Sequence, residues 1–280
     1  MADKIKIELG EVQKTLLIPL WDRAMEFTRE DALIRDQSAH DIVAKLDFDF
    51  SSMDDGMQVQ SLINFNCSVR AFHLDSMLRQ AIASHPDATV INIGAGLDTT
   101  FQRVDNGKIF WYDLDLPDSM ELRRKLIPES DRNVFIAKSV FDRSWFREIR
   151  VRPSKIILMA GGVFVYLPEA ELRALFGDLA REFPGCELMF EIYSKLLIWL
   201  RKRILRNRKE KSNLRTDFNW GSQSARKIAK WDKRIRVMEE FPFYSRVRYP
   251  SDMDEKNLSQ IKLMNLLGMM KRVHLKLGQA

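Results

Sequence analysis

From Thr89 onward the chain alternates short apolar runs with amphipathic stretches, and this alternation restricts the fold more than any other feature. "TVINIG" reads as a strand, "KIFWYDLDLP" as a second closed by Pro117, and "NVFIAKSV" as a third. "KIILMAGG" and "CELMFEIY" read as a fourth and a fifth. Between them, "SMELRRKLI" and "LPEAELRALFGDLAREF" space their apolar positions three and four residues apart, as a helix with one buried face requires. Strand and helix in turn at this spacing predict an α/β fold with a parallel sheet covered by helices on both faces. The pattern resumes with strand-like "RIRVMEEF" (234–241), helical "NLSQIKLMNLL" and a last strand, "KRVHLKLG".

The first 85 residues carry helical spacing instead, in "TLLIPLWDRAMEF" and "VQSLINFNCSVRAFHLDSMLRQAIA". His85-Pro86-Asp87 ends that pattern, because the residue before a proline is pushed out of the α region. The expected organisation is a helical cap over residues 1–86 and a core over 87–280, interrupted by an insertion at about 195–233. A chain of 280 residues can bury the core this needs.

Composition excludes several classes. At 45% hydrophobic and 30% charged residues the chain is too apolar for disorder. No run of 18 apolar residues is present, so no transmembrane segment is expected, and "MADKIKIELGEV" lacks the apolar stretch of a secretory signal. Cys67 and Cys186 lie far apart without a Cys-x-x-Cys, which argues against a zinc site or a disulfide framework and for a reducing cytoplasm. The net charge of +6 is unevenly spread. Between Lys195 and Arg248 there are seventeen Lys/Arg against five Asp/Glu, a local +12 that leaves −6 for the rest. A basic block of this kind often faces an anionic partner.

In an open α/β sheet, ligands bind beyond the carboxyl ends of the strands where the strand order reverses. A turn with Gly94 and Gly96 allows close approach there, because no Cβ intervenes. Asp115, nineteen residues beyond Gly96 at the end of the second strand, can accept both hydroxyls of a ribose. A nicotinamide fingerprint would want a glycine at position 99, where this chain has Thr99, and Asp98 beside the turn disfavours a pyrophosphate. A cofactor with a ribose, no phosphate and a positive centre suits the site better, and S-adenosylmethionine is such a molecule. A plain turn glycine with a solvated aspartate is the alternative.

"VINIGAGLDTTFQRV", then "FWYDLDLP", Trp145 and "GGVFVYLPEAELRALF", together resemble the leucine carboxyl methyltransferase superfamily. Its bacterial branch includes O-methyltransferases of polyketide biosynthesis of the tetracenomycin type. The resemblance runs from about residue 15 to 195, with "LWDRAMEF" and "LIRD" echoing the family's N-terminal helices. It implies a class I methyltransferase fold: a Rossmann-like seven-stranded sheet with its last strand antiparallel, an N-terminal helical cap and a lid insertion. It also implies S-adenosylmethionine as cofactor, with Gly94 and Gly96 along its methionine portion, Asp115 on the ribose diol and Arg70 on the carboxylate. A guanidinium fork suits a carboxylate. Ser139 and Val140 fall where the family approaches adenine, Ser139 replacing the usual acid. Gly161 falls where the family carries a glutamate beside the methionine amino group, so one charge partner is missing and space is expected there.

Methyl transfer needs collinear acceptor, methyl and sulfur, and exclusion of water. A carboxylate acceptor is ionised at pH 7 and needs no base, whereas a phenol usually does. Tyr166, after the fourth strand, can orient an acceptor or be a structural tyrosine; His73, three residues beyond Arg70, is the candidate base, with packing or capping as its other role. No metal-ligating cluster is apparent. The expected reaction is O-methylation of a small polyketide-like or carboxylate molecule; a non-catalytic cofactor-binding scaffold is the alternative. The insertion is read as a lid whose Trp199, Phe218 and Trp220 wall the acceptor pocket. Its basic exterior is open to an anionic carrier protein or a membrane surface. No nucleic-acid module is recognisable and no nucleic-acid partner is expected.

Overall fold

A computed structural model describes residues 4–6, 11–50, 57–150, 154–207 and 218–278. A two-residue strand β1 (Ile5–Lys6) precedes helices α1 (Glu11–Phe27) and α2 (Gln37–Lys45) and pairs in parallel with β2 (Leu46–Asp47). Helix α3 (Met57–Ser84) leads into the alternating part. There follow β3 (Thr89–Ile93), α4 (Thr100–Val104), β4 (Phe110–Asp115), α5 (Pro117–Leu126), β5 (Asn133–Ala137) and β6 (Ile156–Ala160). Next come α6 (Glu169–Glu182), β7 (Glu187–Tyr193), α7 (Lys195–Asn207) and α8 (Ala225–Ala229). The strands β8 (Ile235–Pro242) and β9 (Met270–Leu277) flank α9 (Glu255–Leu266).

The seven strands from β3 onward form one sheet in the order β5-β4-β3-β6-β7-β9-β8. Pairs through β7 are parallel, and β9 runs antiparallel to both neighbours, as expected for the last strand. The order reverses between β3 and β6, which puts a crevice beyond their carboxyl ends. Both strands are buried at every position, which explains their continuous apolar runs.

Alternate side chains of the central strands feed two cores. Ile91, Ile93, Leu158 and Phe190 pack with Leu172, Leu175 and Phe176 of α6. Val90, Trp111, Ile157 and Met159 pack with Leu74 and Leu78 of α3. A third cluster joins Leu17 and Leu20 of α1 to Met120 and Leu122 of α5, so the cap is packed onto the sheet domain. Helix starts follow local chemistry. Asp36 accepts the Ala39 amide to cap α2, the Ser194 hydroxyl accepts the Leu197 amide at the start of α7, and Asp254 caps α9.

The basic segment begins as helix α7, where no regular element is expected from the sequence pattern. Residues 208–217, with Arg208, Lys209 and Lys211, lie outside the described residues. Trp220 is buried in the main core 5.7 Å from Trp231, and Trp199 is half-exposed beneath Arg203. The aromatic residues expected to wall one pocket therefore separate, and of the three only Phe218 stands by Tyr166 and Tyr193.

Phe176 is fully buried, with Phe164, Phe190 and Trp231 rings at 5.5, 5.7 and 5.5 Å. Phe176→Ala should lower the unfolding free energy by about 3–5 kcal/mol through the cavity it leaves. Urea unfolding with an unchanged slope and a lower midpoint is the expected reading.

Candidate active site

The turn after β3 is glycine-rich for reasons internal to the protein. Gly94 has φ +67°, and a Cβ there would stand 2.2 Å from Val163 Cγ2. Gly96 has φ +46°, and its Cβ would meet Leu16 Cδ2 of α1 at 3.0 Å. Both conformations also disfavour side chains intrinsically. The turn's carbonyls are held from below. Arg123 Nη1 donates to Gly96 O and Asp98 O at 3.0 and 2.7 Å, while its Nη2 pairs with buried Asp113 at 2.7 Å. Arg23 Nη2 donates to Leu97 O at 2.9 Å.

A second layer ties the turn to the cap. Asp36, fully buried, accepts from Arg23 Nε at 2.9 Å, Arg103 Nη1 at 2.5 Å and the Thr99 hydroxyl at 2.5 Å. Burial opposes its charge, but Arg103 and Arg23 outweigh that and hold its carboxyl below the usual range. Arg103 in turn pairs with Asp75 of α3 at 2.7 Å. Thr99 thus stands where a dinucleotide fingerprint has glycine because its hydroxyl anchors the turn. Asp98 is engaged within the turn itself. It accepts from Asn92 Nδ2 at 3.0 Å and from the Thr100 amide at 3.2 Å, turned inward at the start of α4.

Asp115 lies at the end of β4 beside the turn. Its Oδ2 accepts the Gly96 amide at 2.7 Å and its Oδ1 the Leu116 amide at 2.7 Å. Burial lifts its pKa, opposed by those two amides. Each oxygen keeps a free lone pair for a further donor. Leu116 follows with its side chain 46% exposed, an apolar surface beside the carboxylate. Ser139 and Val140 begin the loop after β5. The Ser139 hydroxyl accepts the Phe141 amide at 3.2 Å, and the Val140 carbonyl is held by Trp145 Nε1 at 3.2 Å and Arg143 Nη1 at 2.9 Å.

Arg70 of α3 reaches the opposite side of the turn, where the loop after β6 passes. A Cβ on Gly162 would lie 2.9 Å from Arg70 Cζ, and one on Gly161 3.2 Å from Arg70 Cδ and 3.1 Å from Leu74 Cδ1. The space expected at Gly161 is therefore filled by Arg70 and Leu74. Arg70 Nε donates to Glu191 at 2.9 Å and its Nη2 to the Tyr193 hydroxyl at 3.2 Å. Glu191 Oε2 pairs with buried Arg272 at 2.5 Å. Burial pushes the Tyr193 phenol up, so it stays protonated.

From Tyr193 the cluster continues outward. Phe218 lies 5.2 Å from the Tyr193 ring and 5.4 Å from that of half-exposed Tyr166, with Arg201 stacked 4.0 Å above it. His73 belongs elsewhere. It is buried among Phe72, Phe241 and Phe243 with Nε2 2.9 Å from the Phe243 carbonyl, the capping and packing role rather than that of a base. His274, without an evident partner in the sequence, meets Glu187 at 2.9 Å. Among the described residues no group of His, Cys, Asp or Glu is arranged to hold a metal, and no helix is long and apolar enough to cross a membrane.

Residues 17–180 match the family model for leucine carboxyl methyltransferase. The chain belongs to the leucine carboxyl methyltransferase family. It is 30% identical over 240 residues to the tetracenomycin polyketide synthesis O-methyltransferase TcmP of Streptomyces glaucescens, covering 84% of each chain. It is 23% identical over 261 residues to an S-adenosyl-L-methionine-dependent methyltransferase of Gibberella zeae, covering 85% of this chain and 87% of the other. The fold is that of class I methyltransferases. It superposes on magnesium protoporphyrin IX methyltransferase from Synechocystis, solved with bound SAH, at TM-score 0.51, 12% identity and 87% and 93% coverage. A SAM-dependent methyltransferase from Anabaena variabilis gives 0.53, at 10% identity and 99% coverage of each chain.

Sequence reasoning on this family member missed the groups that hold the site. Arg23 and Asp36 sit inside the quoted "LWDRAMEF" and "LIRD" segments, where charges interrupt apolar helix patterns; that interruption was the available signal. Glu191 and Arg272 gave none beyond an ion within each strand. Asp36→Ala should cost about 3–5 kcal/mol, because it leaves the buried Arg23 guanidinium without its carboxylate and takes one of its carboxylates from Arg103, and urea unfolding will report it. His73 provides a separate check. Burial and Arg272 hold it down to about 4 from 6.5, so the unfolded chain takes up a proton the folded one refuses. Stability should fall as pH drops from 6.5 toward 4, and His73→Asn should flatten that slope in unfolding midpoints measured across the range.

Proposed function

We propose that this protein is an S-adenosylmethionine-dependent O-methyltransferase acting on a small molecule, either polyketide-like or carboxylate-bearing. The observation that carries the proposal is the convergence of three elements at one crevice: the Gly94–Gly96 turn, Asp115 bonded to the Gly96 amide, and Arg70 against Gly162. Family membership and the tetracenomycin-type relative support the same reading.

The residues fit the cofactor. The Asp115 carboxylate, fixed by two backbone amides, has lone pairs left for a ribose diol, and exposed Leu116 offers a face to a purine. Ser139 and Val140 would flank the adenine, from a loop pinned by Trp145 and Arg143. Arg70 keeps Nη1 free of the bonds to Glu191 and Tyr193, so it would take the cofactor's carboxylate. When bound, S-adenosylmethionine supplies an electrophilic methyl group on a sulfonium. The protein's share is to align the acceptor and exclude water.

Tyr166, Phe218 and Tyr193 would form the acceptor's aromatic side, with Tyr166 orienting the acceptor oxygen and Arg201 above the ring of Phe218. With His73 turned to the Phe243 carbonyl, the site suits an acceptor already ionised. Of the segment at about 195–233, helix α7 and Phe218 would form the lid over that pocket, Trp220 and α8 belonging to the main core, and its basic face would be available to an anionic carrier protein. The occupation of Arg70 by Glu191 and Tyr193 also favours a second reading, a cofactor-binding relative without transfer activity.

Asp115→Ala should weaken S-adenosylmethionine binding by about 1–3 kcal/mol in isothermal titration, since the ribose hydroxyls lose their acceptor. Unchanged affinity would place the cofactor elsewhere. Transfer of labelled methyl to an acceptor in extract separates the enzyme from the non-catalytic reading; tight binding without transfer would favour the latter.

A further inference from the structure

A cavity of about 360 Å³ opens between α1, α3 and the turn before α9, lined in part by Asp22, Met25, Phe65, Ser68, Pro250 and Met253. Its volume falls within the range of small-molecule sites. Asp22 is 2% exposed, and among the described residues neither of its carboxylate oxygens has a hydrogen-bond partner of ordinary geometry. A buried carboxylate in that condition is costly unless something neutralises it.

The other charges at the cavity are already committed. Arg29 pairs with Asp252 at 2.5 Å, both lining the cavity. Glu26 accepts the Leu33 amide at 2.5 Å, and Asp254 caps α9 at the Asn257 amide. The cations facing Asp22 are equally engaged: Arg23 with Asp36 and Leu97, Arg70 with Glu191 and Tyr193. The buried Cys67 thiol beside Asp22 is at best a weak donor. What remains is one unsatisfied acid beside an apolar side made of two thioethers, a proline ring and the Phe65 ring, the rest of the wall being the polar groups of α1, α3 and the turn before α9.

We infer that this chamber is a binding site for a small organic cation, an alkylammonium whose charged head pairs with Asp22 and whose short apolar body packs against Met25, Phe65 and Met253. Phe65 adds an aromatic ring toward which a cation is attracted. The Ser68 hydroxyl gives a second acceptor for an N–H donor. Methyl transfer is no premise of this site, which stands on the cavity and its acid alone.

Burial pushes Asp22 up to about 8, partly offset by Cys67, Arg23 and Arg70 and reinforced by Glu26. The free protein therefore carries it protonated at neutral pH, and a cation must displace that proton. Binding should tighten up to about tenfold per pH unit below 8 and level off above it, with the amine itself charged throughout.

The test is isothermal titration of the full chain with n-butylammonium chloride and, in parallel, with 1-butanol at pH 6, 7, 8 and 9. The expected result is at least a tenfold preference for the cation, tightening toward pH 8, and proton release seen as buffer-dependent heat. Asp22→Asn should cut cation affinity at least tenfold and abolish the proton release. Met253→Trp should block binding by filling the chamber while Asp22 stays in place. Equal binding of the alcohol, parent-like binding by either variant, or one-for-one displacement of the amine by S-adenosylhomocysteine would overturn the proposal. The last of these would assign Asp22 to the cofactor's own amino group.

Discussion

The site depends on a set of buried arginine–aspartate pairs beneath the turn after β3. Arg123 with Asp113, and Arg23 and Arg103 with Asp36, deliver guanidinium N–H groups to the turn carbonyls and to Thr99. Burying ions is unfavourable unless geometry and hydrogen bonding are nearly complete, so such a set earns little stability for its size. What it does provide is a single arrangement. A backbone with two left-handed glycines has many alternatives, and these bonds hold it in the one seen. Because Arg23 and Asp36 come from the N-terminal helical part of the chain, that part holds the turn after β3 in place and does not merely cover it.

The glycine at 161, where the resemblance implies a glutamate, is intelligible on the same terms. Arg70 crosses that position and makes its ion pair with Glu191 on the neighbouring strand β7. Glu191 lies between Arg70 and Arg272, so two cations share one anion within the described cluster. That excess of positive charge suits the arrival of one carboxylate, at the price of a weaker claim on an ammonium.

Much of the fold was legible in the chain because parallel, fully buried strands need unbroken apolar runs, as in Ile156–Ala160, and because prolines mark the ends. Gly96 and Asp115 were legible for a similar reason: turn and strand end are local events. The groups that hold them were not. Thr99 meets Asp36 across 63 residues and Arg272 meets Glu191 across 81, distances over which no periodicity carries information. Trp199 and Trp220 look alike as letters, and only burial separates a half-exposed ring from a core one. The space expected at Gly161 failed because a long arginine stem can refill what a shortened side chain leaves. The strands β1 and β2, two residues each, are too short to show any period.

The sheet is not assembled in the order in which it is read out. Among the described residues β8 has its only sheet partner in β9, and β9 is wedged between β7 and β8. During synthesis, Ile235–Pro242 must wait as an unpaired edge until residues 270–277 leave the ribosome, and Glu191 waits with them for Arg272. β9 is thus the keystone: without it the β7 edge and all of β8 stand unpaired.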